Sequence, residues 1–235
     1  FSSFTDVPRP VLSCIRLLSP IGVFCLRSWV VAAQGPKFFG ALVLVLLAAY
    51  IGYIIHTVLV YSLSVKVFAG MSPLKFFKGI LPAAVFAFTS TSSVASLPVS
   101  KECCDELGVE QDISSFVLPL GATINMDGTA IYQCVAAIFL AKCIGMDLGI
   151  TQMVTIVVTA TLASIGTAGT SGAGMIMLAM VLEAVGIPTT YIGIIYGIDR
   201  LFDMGRTALN VVGDASCAIC VNHWEAKAAA QKAAK

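Results

Sequence analysis

The chain has few charged residues. Only 11% of its 235 residues are charged and 58% are hydrophobic, whereas ordinary soluble domains carry about 25% charged residues. This is too little charge to cover a globule of this size, so we expect the lipid bilayer to be its solvent. The net charge is only +1. Proteins that bind nucleic acids usually have an excess of basic residues, so we expect no nucleic-acid partner.

Disulfide and zinc patterns are also missing. The eight cysteines are scattered through apolar segments rather than spaced as a disulfide framework. Cys217 and Cys220 form a CxxC pair without a second ligand pair. There are two histidines, and we interpret His56, in an apolar run, as a packing residue rather than a proton relay.

Long uncharged runs are present instead. Residues 38–65 and 148–182 contain no formal charge, and each run exceeds the ~20 residues that a spanning helix needs. We predict spanning helices at 11–33 and 38–68.

The remaining apolar segments are interrupted. The apolar segment at 73–107 is interrupted by a serine cluster at 90–93. The run at 148–182 is interrupted by SIGTAGTSGAG at 164–174. Each half is short for a hydrocarbon core of about 30 Å, and non-helical backbone at that depth is tolerated only where protein or water surrounds it. We therefore predict two re-entrant helical hairpins.

A polar segment follows each hairpin. NMDGT breaks the segment at 111–143, and NVVGD lies within a final segment at 189–221. Paired interrupted segments in two halves are typical of inverted-repeat transporters, whose binding site lies between them. The predicted fold class is an all-α integral membrane protein.

Lysines favour one orientation in the membrane. One group of lysines precedes the first hairpin and another lies near the C-terminus. The loops expected on the other side of the membrane have fewer lysines. The first two groups are Lys66, Lys75 and Lys78, and Lys227, Lys232 and Lys235. The positive-inside rule places these two groups, and the C-terminus, in the cytoplasm.

The last segment carries a polar stripe. Its members recur at offsets of three or four, which places them on one helix face; they are Asp199, Asp203, Arg206, Thr207, Asn210 and Asp214. Charges at the bilayer centre cost about 2.5–3.5 kcal/mol each even on lenient scales, so we expect this face to line a site rather than to meet lipid.

The stripe suits an amino acid with an extra acid. The planar guanidinium of Arg206 matches a carboxylate, and Asp203 one turn away suits an ammonium. Asp127 and Asp214, near carbonyls freed by unwound turns, form all-oxygen cages that suit a hard cation.

Four motifs occur in the order TSTSSVASLP, LPLGATINMDGTAIY, ASIGTAGTSGAG and DMGRTALNVVGDA. In these motifs and their spacing the chain closely resembles the dicarboxylate/amino acid:cation symporters, the excitatory glutamate transporter family. The resemblance implies an inverted-repeat elevator fold, a homotrimer, and sodium-coupled symport of aspartate or glutamate across a plasma membrane or inner cell membrane. The second hairpin is expected to be the outer gate.

The resemblance also implies site residues. The substrate contacts are expected at Ser92, Ser93, Thr129, Gly169, Gly172, Asp203, Arg206, Thr207 and Asn210. One sodium site is expected at Gly121, Asn125, Asn210 and Asp214, a second at Thr123, Ser164, Ile165 and Thr167, and a third at Asn125 and Asp127.

By resemblance, the chain begins near the fifth of eight spanning helices. We therefore expect a scaffold-type helix at 1–36, a transport domain at 37–225 and a cytoplasmic tail at 226–235, and no transport by the chain alone. Related members place an arginine where Thr91 or Met204 stands here, which leaves Asp203 without that support. They also place a proline where Ser171 stands, which predicts a looser gate.

Alternatives remain open. Neutral amino acid carriers of the family lack the arginine at 206 and C4-dicarboxylate carriers lack the aspartate at 203, so both residues together favour an acidic amino acid. A non-functional truncated fragment is a third possibility. An intramembrane aspartyl protease would use two aspartates as a dyad, but VVGD replaces the usual GxGD signature, and we expect no enzymatic activity.

Overall fold

A computed structural model describes residues 37–167, 169–170 and 172–233. Regular secondary structure in these residues is entirely helical, as expected from the composition. The spanning helix predicted at 11–33 and the departure at Ser171 lie outside the described residues.

The described residues form ten α-helices joined by short turns. These are α1 (Lys37–His56), α2 (Ser62–Ala69), α3 (Pro73–Ser90), α4 (Ser93–Glu106), α5 (Gln111–Ile124), α6 (Asp127–Cys143), α7 (Ile150–Ile165), α8 (Ala173–Ala184), α9 (Gly193–Tyr196) and α10 (Asp199–Ala233). A π-helical turn, Thr57–Tyr61, joins α1 to α2, and a 3₁₀ turn, Thr189–Ile192, precedes α9.

The helix breaks fall where the sequence predicts them. Between α3 and α4, Thr91 adopts a positive φ of 54°. The Ser92 hydroxyl then accepts the Ala95 N–H at 3.2 Å and caps α4. The NMDGT motif separates α5 from α6, and the glycine-rich segment separates α7 from α8.

The final segment differs from the prediction. It is not continuous over 189–221, because the 3₁₀ turn and α9 precede α10. Moreover, α10 continues to Ala233, since EAKAAAQKA is rich in strong helix formers. The domain boundaries at 36/37 and 225/226 stay predictions.

The chain divides into two compact units, Phe1–Val43 and Leu44–Lys235. In the first unit the structure describes only residues 37–43, which begin α1. In the second unit α10 is central and contacts α2, α3, α4, α5 and α6. The paired helices α3 and α4, and α7 and α8, also contact each other.

The second unit exposes many large apolar side chains and buries several charged ones. Its surface carries exposed large apolar side chains, for example Leu44 (69%) and Leu59 (63%), whereas Asp203 and Asp214 are buried. Within the described residues, two segments are long and apolar enough to cross a membrane, Gly40–Ala69 and Gln111–Cys143. Apolar outer surfaces with ionisable groups inside are what a bilayer requires.

Candidate functional site

The polar stripe of α10 is buried. Asp203, Arg206, Asn210 and Asp214 are each less than 5% exposed. Charges removed from water are stable only when they are paired and hydrogen-bonded, so the partners of these groups define the site.

Two aspartates share Arg206. Its Nε donates to Asp203 Oδ1 at 2.9 Å, and its Nη1 lies 3.9 Å from Asp199 Oδ1. The guanidinium also lies over the ring of Tyr132, with its carbon 4.8 Å from the ring centroid. The positive charge of Arg206 is therefore compensated within the protein by two carboxylates and an aromatic face.

The carboxylate of Asp203 binds the tip of the second helix pair. Its Oδ2 accepts the Gly172 N–H at 3.1 Å, and its Oδ1 accepts the Thr207 hydroxyl at 3.4 Å. The sequence predicts that Asp203 lacks the arginine that related members carry at the position of Thr91 or Met204. Its carboxylate is stabilised instead by Arg206, Gly172 and Thr207.

The two helix-pair tips touch each other. The Ser92 hydroxyl and the Val94 N–H donate to the carbonyl of Gly169 at 3.2 and 3.4 Å. The cavity enclosed by the tips, α6 and α10 has a volume of about 10 Å³, which is roughly the space of one water molecule.

Most predicted substrate residues line this cavity. Those that line it are Ser93, Thr129, Gly169, Asp203, Arg206, Thr207 and Asn210. Ser92 and Gly172 are not among the lining residues, but each is hydrogen-bonded to one of them, Ser92 to Gly169 and Gly172 to Asp203. Thr91, Met126, Thr167, Thr170 and Gly174 line it as well, and the sequence did not single them out as substrate contacts.

The break between α5 and α6 fits against α10. Asn210 Oδ1 accepts the Gly128 N–H at 2.7 Å, and Asn210 Nδ2 lies 3.1 Å from Met126 Sδ. A Cβ at Gly128 would lie 2.6 Å from the carbonyl oxygen of Arg206. Glycine is thus required here because the two backbones approach closely.

The three other residues predicted for the first sodium site lie close to Asp214. Asn125 Nδ2 donates to Asp214 Oδ1 at 2.9 Å and to the Asn210 carbonyl at 3.3 Å. Gly121 is also adjacent, since a Cβ there would contact the Asp214 carboxylate. The group offers carboxylate, carbonyl and amide oxygens, the donor set of a hard cation.

The second predicted sodium site is less closely assembled. The hydroxyls of Thr123, Ser164 and Thr167 donate to carbonyls of their own helices or helix ends, which leaves their backbone carbonyls as the expected ligands. Ser164 and Thr167 are buried, whereas Ile165 and Thr123 are exposed. The helix α5, which carries Thr123, contacts α7, which carries Ser164 and Ile165 and ends two residues before Thr167.

Asp127 has partners that the sequence did not reveal. Its Oδ2 accepts the Tyr61 hydroxyl at 2.9 Å and lies 3.1 Å from His56 Nε2. His56 is therefore bound to a carboxylate and is more than the packing residue that we predicted. Asn125 and Asp127, predicted to share a third sodium site, bind different side chains.

Further buried polar groups were missed. The hydroxyls of Tyr53 and Tyr132 and both amide atoms of Gln133 have no hydrogen-bond partner within the described part of the chain. Tyr53 and Gln133 lie outside the four motifs, in α1 and α6. Tyr132 ends the second motif, but the sequence assigns it no role, because burial without a partner is visible only in three dimensions.

Comparison with known proteins places the chain among membrane transporters. Residues 1–224 match the Sodium:dicarboxylate symporter family. The chain is 40% identical over 227 residues to the neutral amino acid transporter B(0) of Oryctolagus cuniculus, covering 95% of this chain and 42% of that protein. It is also 40% identical over 217 residues to excitatory amino acid transporter 3 of Mus musculus, covering 92% and 42%.

A third relative is the putative sodium-dependent excitatory amino acid transporter glt-4 of Caenorhabditis elegans. The identity is 39% over 221 residues, covering 91% of this chain and 44% of that protein. The chain therefore spans less than half the length of these relatives.

Proposed function

The chain belongs to the Sodium:dicarboxylate symporter family, and from that membership we propose that it forms the substrate- and cation-binding part of a sodium-coupled symporter of acidic amino acids. The family and its relatives are transporters and integral membrane proteins. The names of the three relatives share amino acid transport, and sodium appears in the family description and in the name of one relative.

The observation that carries the proposal is the pairing of Arg206 and Asp203 in one small cavity. Both residues line the cavity, and Arg206 Nε lies 2.9 Å from Asp203 Oδ1. A substrate with two carboxylates and an ammonium can replace this internal pair, since its side-chain carboxylate binds Arg206 and its ammonium binds Asp203. Aspartate and glutamate have these groups.

A neutral amino acid is the second candidate. Asp199 and Asp203 both compensate Arg206, so the guanidinium is less available to a substrate carboxylate than an isolated arginine. Relatives of similar identity include both a neutral and an excitatory amino acid transporter, so identity alone does not separate the two substrates.

Sodium enters as a co-substrate at three proposed places. The first is the Asp214 group with Asn125, Gly121 and the Asn210 carbonyl. The second uses carbonyls near Thr123 and at 164–167, and the third is at Asp127. The oxygen-rich chemistry of the Asp214 group supports the first assignment most directly.

We further propose that the helix pairs are re-entrant hairpins and that the second is the gate. The hydrogen bond from Gly172 to Asp203 would hold the gate closed until a substrate ammonium competes for the carboxylate. The elevator movement, the homotrimer, the cytoplasmic C-terminus and the plasma or inner cell membrane location are proposals that rest on the family resemblance.

We propose no enzymatic role. An aspartyl dyad needs two carboxylates that share a proton, whereas Asp127 binds His56 and Tyr61 and Asp214 binds Asn125. The protease alternative therefore has no paired carboxylates at these two positions to support it.

Uptake by the full-length protein with Arg206→Cys tests the substrate proposal. We expect loss of Na⁺-dependent aspartate uptake and gain of neutral amino acid uptake in proteoliposomes. Lys142→Cys, at an exposed position near the end of α6, is the control and should retain aspartate uptake. Unchanged aspartate uptake in Arg206→Cys would contradict the proposal.

A further inference from the structure

The π-helical turn brings two side chains to one carboxylate. In an α-helix, residues five apart point about 140° away from each other around the axis. His56 and Tyr61 are five apart, yet their rings are in edge-to-face contact with centroids 5.1 Å apart. The turn at Thr57–Tyr61 explains this, because its i→i+5 hydrogen bonds place residues five apart on a common face.

Both side chains reach the same oxygen of Asp127. The Tyr61 hydroxyl donates to Oδ2 at 2.9 Å, and His56 Nε2 lies 3.1 Å from the same atom. Neither contact uses Oδ1. A carboxylate fixed through one oxygen presents the other in a defined direction, which is how neighbouring hydrogen bonds orient a metal-binding carboxylate.

Tyr61 also borders the Asp214 group. A Cβ at Gly213 would lie 2.5 Å from both the Tyr61 hydroxyl and Asn125 Nδ2. Asn125 in turn donates to Asp214. The Tyr61 hydroxyl therefore sits between the carboxylate of Asp127 and the amide that orients Asp214, and it is buried at 4% exposure.

We propose that Tyr61, with His56 beside it, is a positioning residue that fixes Asp127 for a cation and links this site to the Asp214 group. This inference rests on the proposed sodium coupling. The cation binds the free oxygen of Asp127, while Tyr61 and His56 hold the other oxygen. The π-helical turn is the element that makes the arrangement possible, because an unbroken α-helix would point one ring away.

The test is Tyr61→Phe, which removes only the hydroxyl. The purified full-length protein is titrated with NaCl, and the Na⁺ concentration for half-maximal thermal stabilisation is measured. We expect this concentration to rise by about tenfold, because a hydrogen bond to a charged group contributes roughly that factor in affinity. The Hill coefficient for Na⁺ should fall as well, since the link between the two sites is lost.

Uptake supplies a second readout. In proteoliposomes, Tyr61→Phe should raise the half-saturating Na⁺ concentration, with the deficit recovered at saturating Na⁺. His56→Leu, which removes the contact with Asp127, should shift the same quantity in the same direction and serves as the second variant. Tyr50→Phe is the matched control, because its hydroxyl donates to the Leu201 carbonyl at 2.7 Å, away from Asp127; it should leave the Na⁺ dependence unchanged.

The outcomes distinguish failure of this inference from failure of the proposed sodium coupling. If the unmodified protein responds to Na⁺ and Tyr61→Phe responds identically, the inference is wrong and the sodium coupling stands. A shift of equal size in Tyr50→Phe also overturns the inference, because the effect would then be general. If the unmodified protein shows no response to Na⁺, both the inference and the proposed coupling are wrong.

Discussion

Asn210 accepts the backbone N–H of Gly128 at 2.7 Å, across 82 positions of sequence. This bond attaches the break in the NMDGT motif to the polar face of α10. It also explains why the motif combines a helix-weakening glycine with polar side chains: the N–H left free at the start of α6 needs a buried acceptor, and the close approach leaves no room for a Cβ.

Gly128→Ala should destabilise the protein. The new methyl would lie 2.6 Å from the Arg206 carbonyl oxygen, so α6 must move away from α10 and weaken the bond to Asn210. Overpacking of this kind costs about 1–3 kcal/mol. Thermal unfolding in detergent measures the effect. Gly193→Ala, where a Cβ would meet nothing within 4 Å, is the control; equal melting temperatures for the two variants would contradict the prediction.

Asp199→Asn should increase the preference for acidic over neutral amino acids. The substitution removes one of the two carboxylates that compensate Arg206, so the guanidinium attracts a substrate carboxylate more strongly. A shift of about 1.4 kcal/mol corresponds to a tenfold change in the ratio of aspartate to alanine affinity. Competition against labelled substrate measures this ratio. Asp147→Asn, at an exposed position, should leave it unaltered, and a fall in the ratio for Asp199→Asn would refute the compensation argument.

Asp203→Asn should abolish discrimination between aspartate and succinate. Succinate carries both carboxylates and lacks the ammonium, so its binding does not need the Asp203 charge. We expect aspartate affinity to fall by at least roughly tenfold relative to succinate, the loss of one charged interaction. Ligand-induced thermal stabilisation measures both affinities. Equal losses for the two ligands would show that Asp203 supports the site as a whole and does not recognise the ammonium.

Asp214→Asn should raise the Na⁺ requirement. Asp214 is 2% exposed and bonds Asn125 at 2.9 Å, so its charge is the main one available to a cation in that group. We expect the half-saturating Na⁺ concentration to increase by about tenfold or more, measured by uptake over a Na⁺ series with choline as replacement. Asp112→Asn, at an exposed position of α5, is the matched control. A Na⁺ dependence like that of the control would place the cation elsewhere.

The helix breaks could be predicted because their causes are local. Serines at 90–93, the NMDGT motif and the glycine-rich segment each interrupt an apolar run by their own backbone chemistry. The structure places the breaks at these points. The predicted end of the last segment at 221 is too early, because the alanine-rich sequence that follows continues the helix although it is no longer hydrophobic.

The α10 stripe was also predictable, because offsets of three and four define a helix face. The partners of its members were not. Asn125 and Asp214 are 89 positions apart, and Tyr61 and Asp127 are 66 apart. No periodicity relates residues on different helices, so only the family resemblance brings Asn125 together with Asp214, and nothing in the sequence indicates the contact between Tyr61 and Asp127.

The sequence by itself determined the solvent, the family and the identity of the polar groups, because composition, motif order and helical spacing are properties of the linear chain. Only the tertiary structure decided how the charges are shared. It placed Arg206 between two aspartates, and it gave Asp127 a tyrosine and a histidine through a π-helical turn that helical periodicity cannot anticipate. Buried charges take whichever partners packing brings within reach, and packing is set by contacts between helices far apart in the sequence.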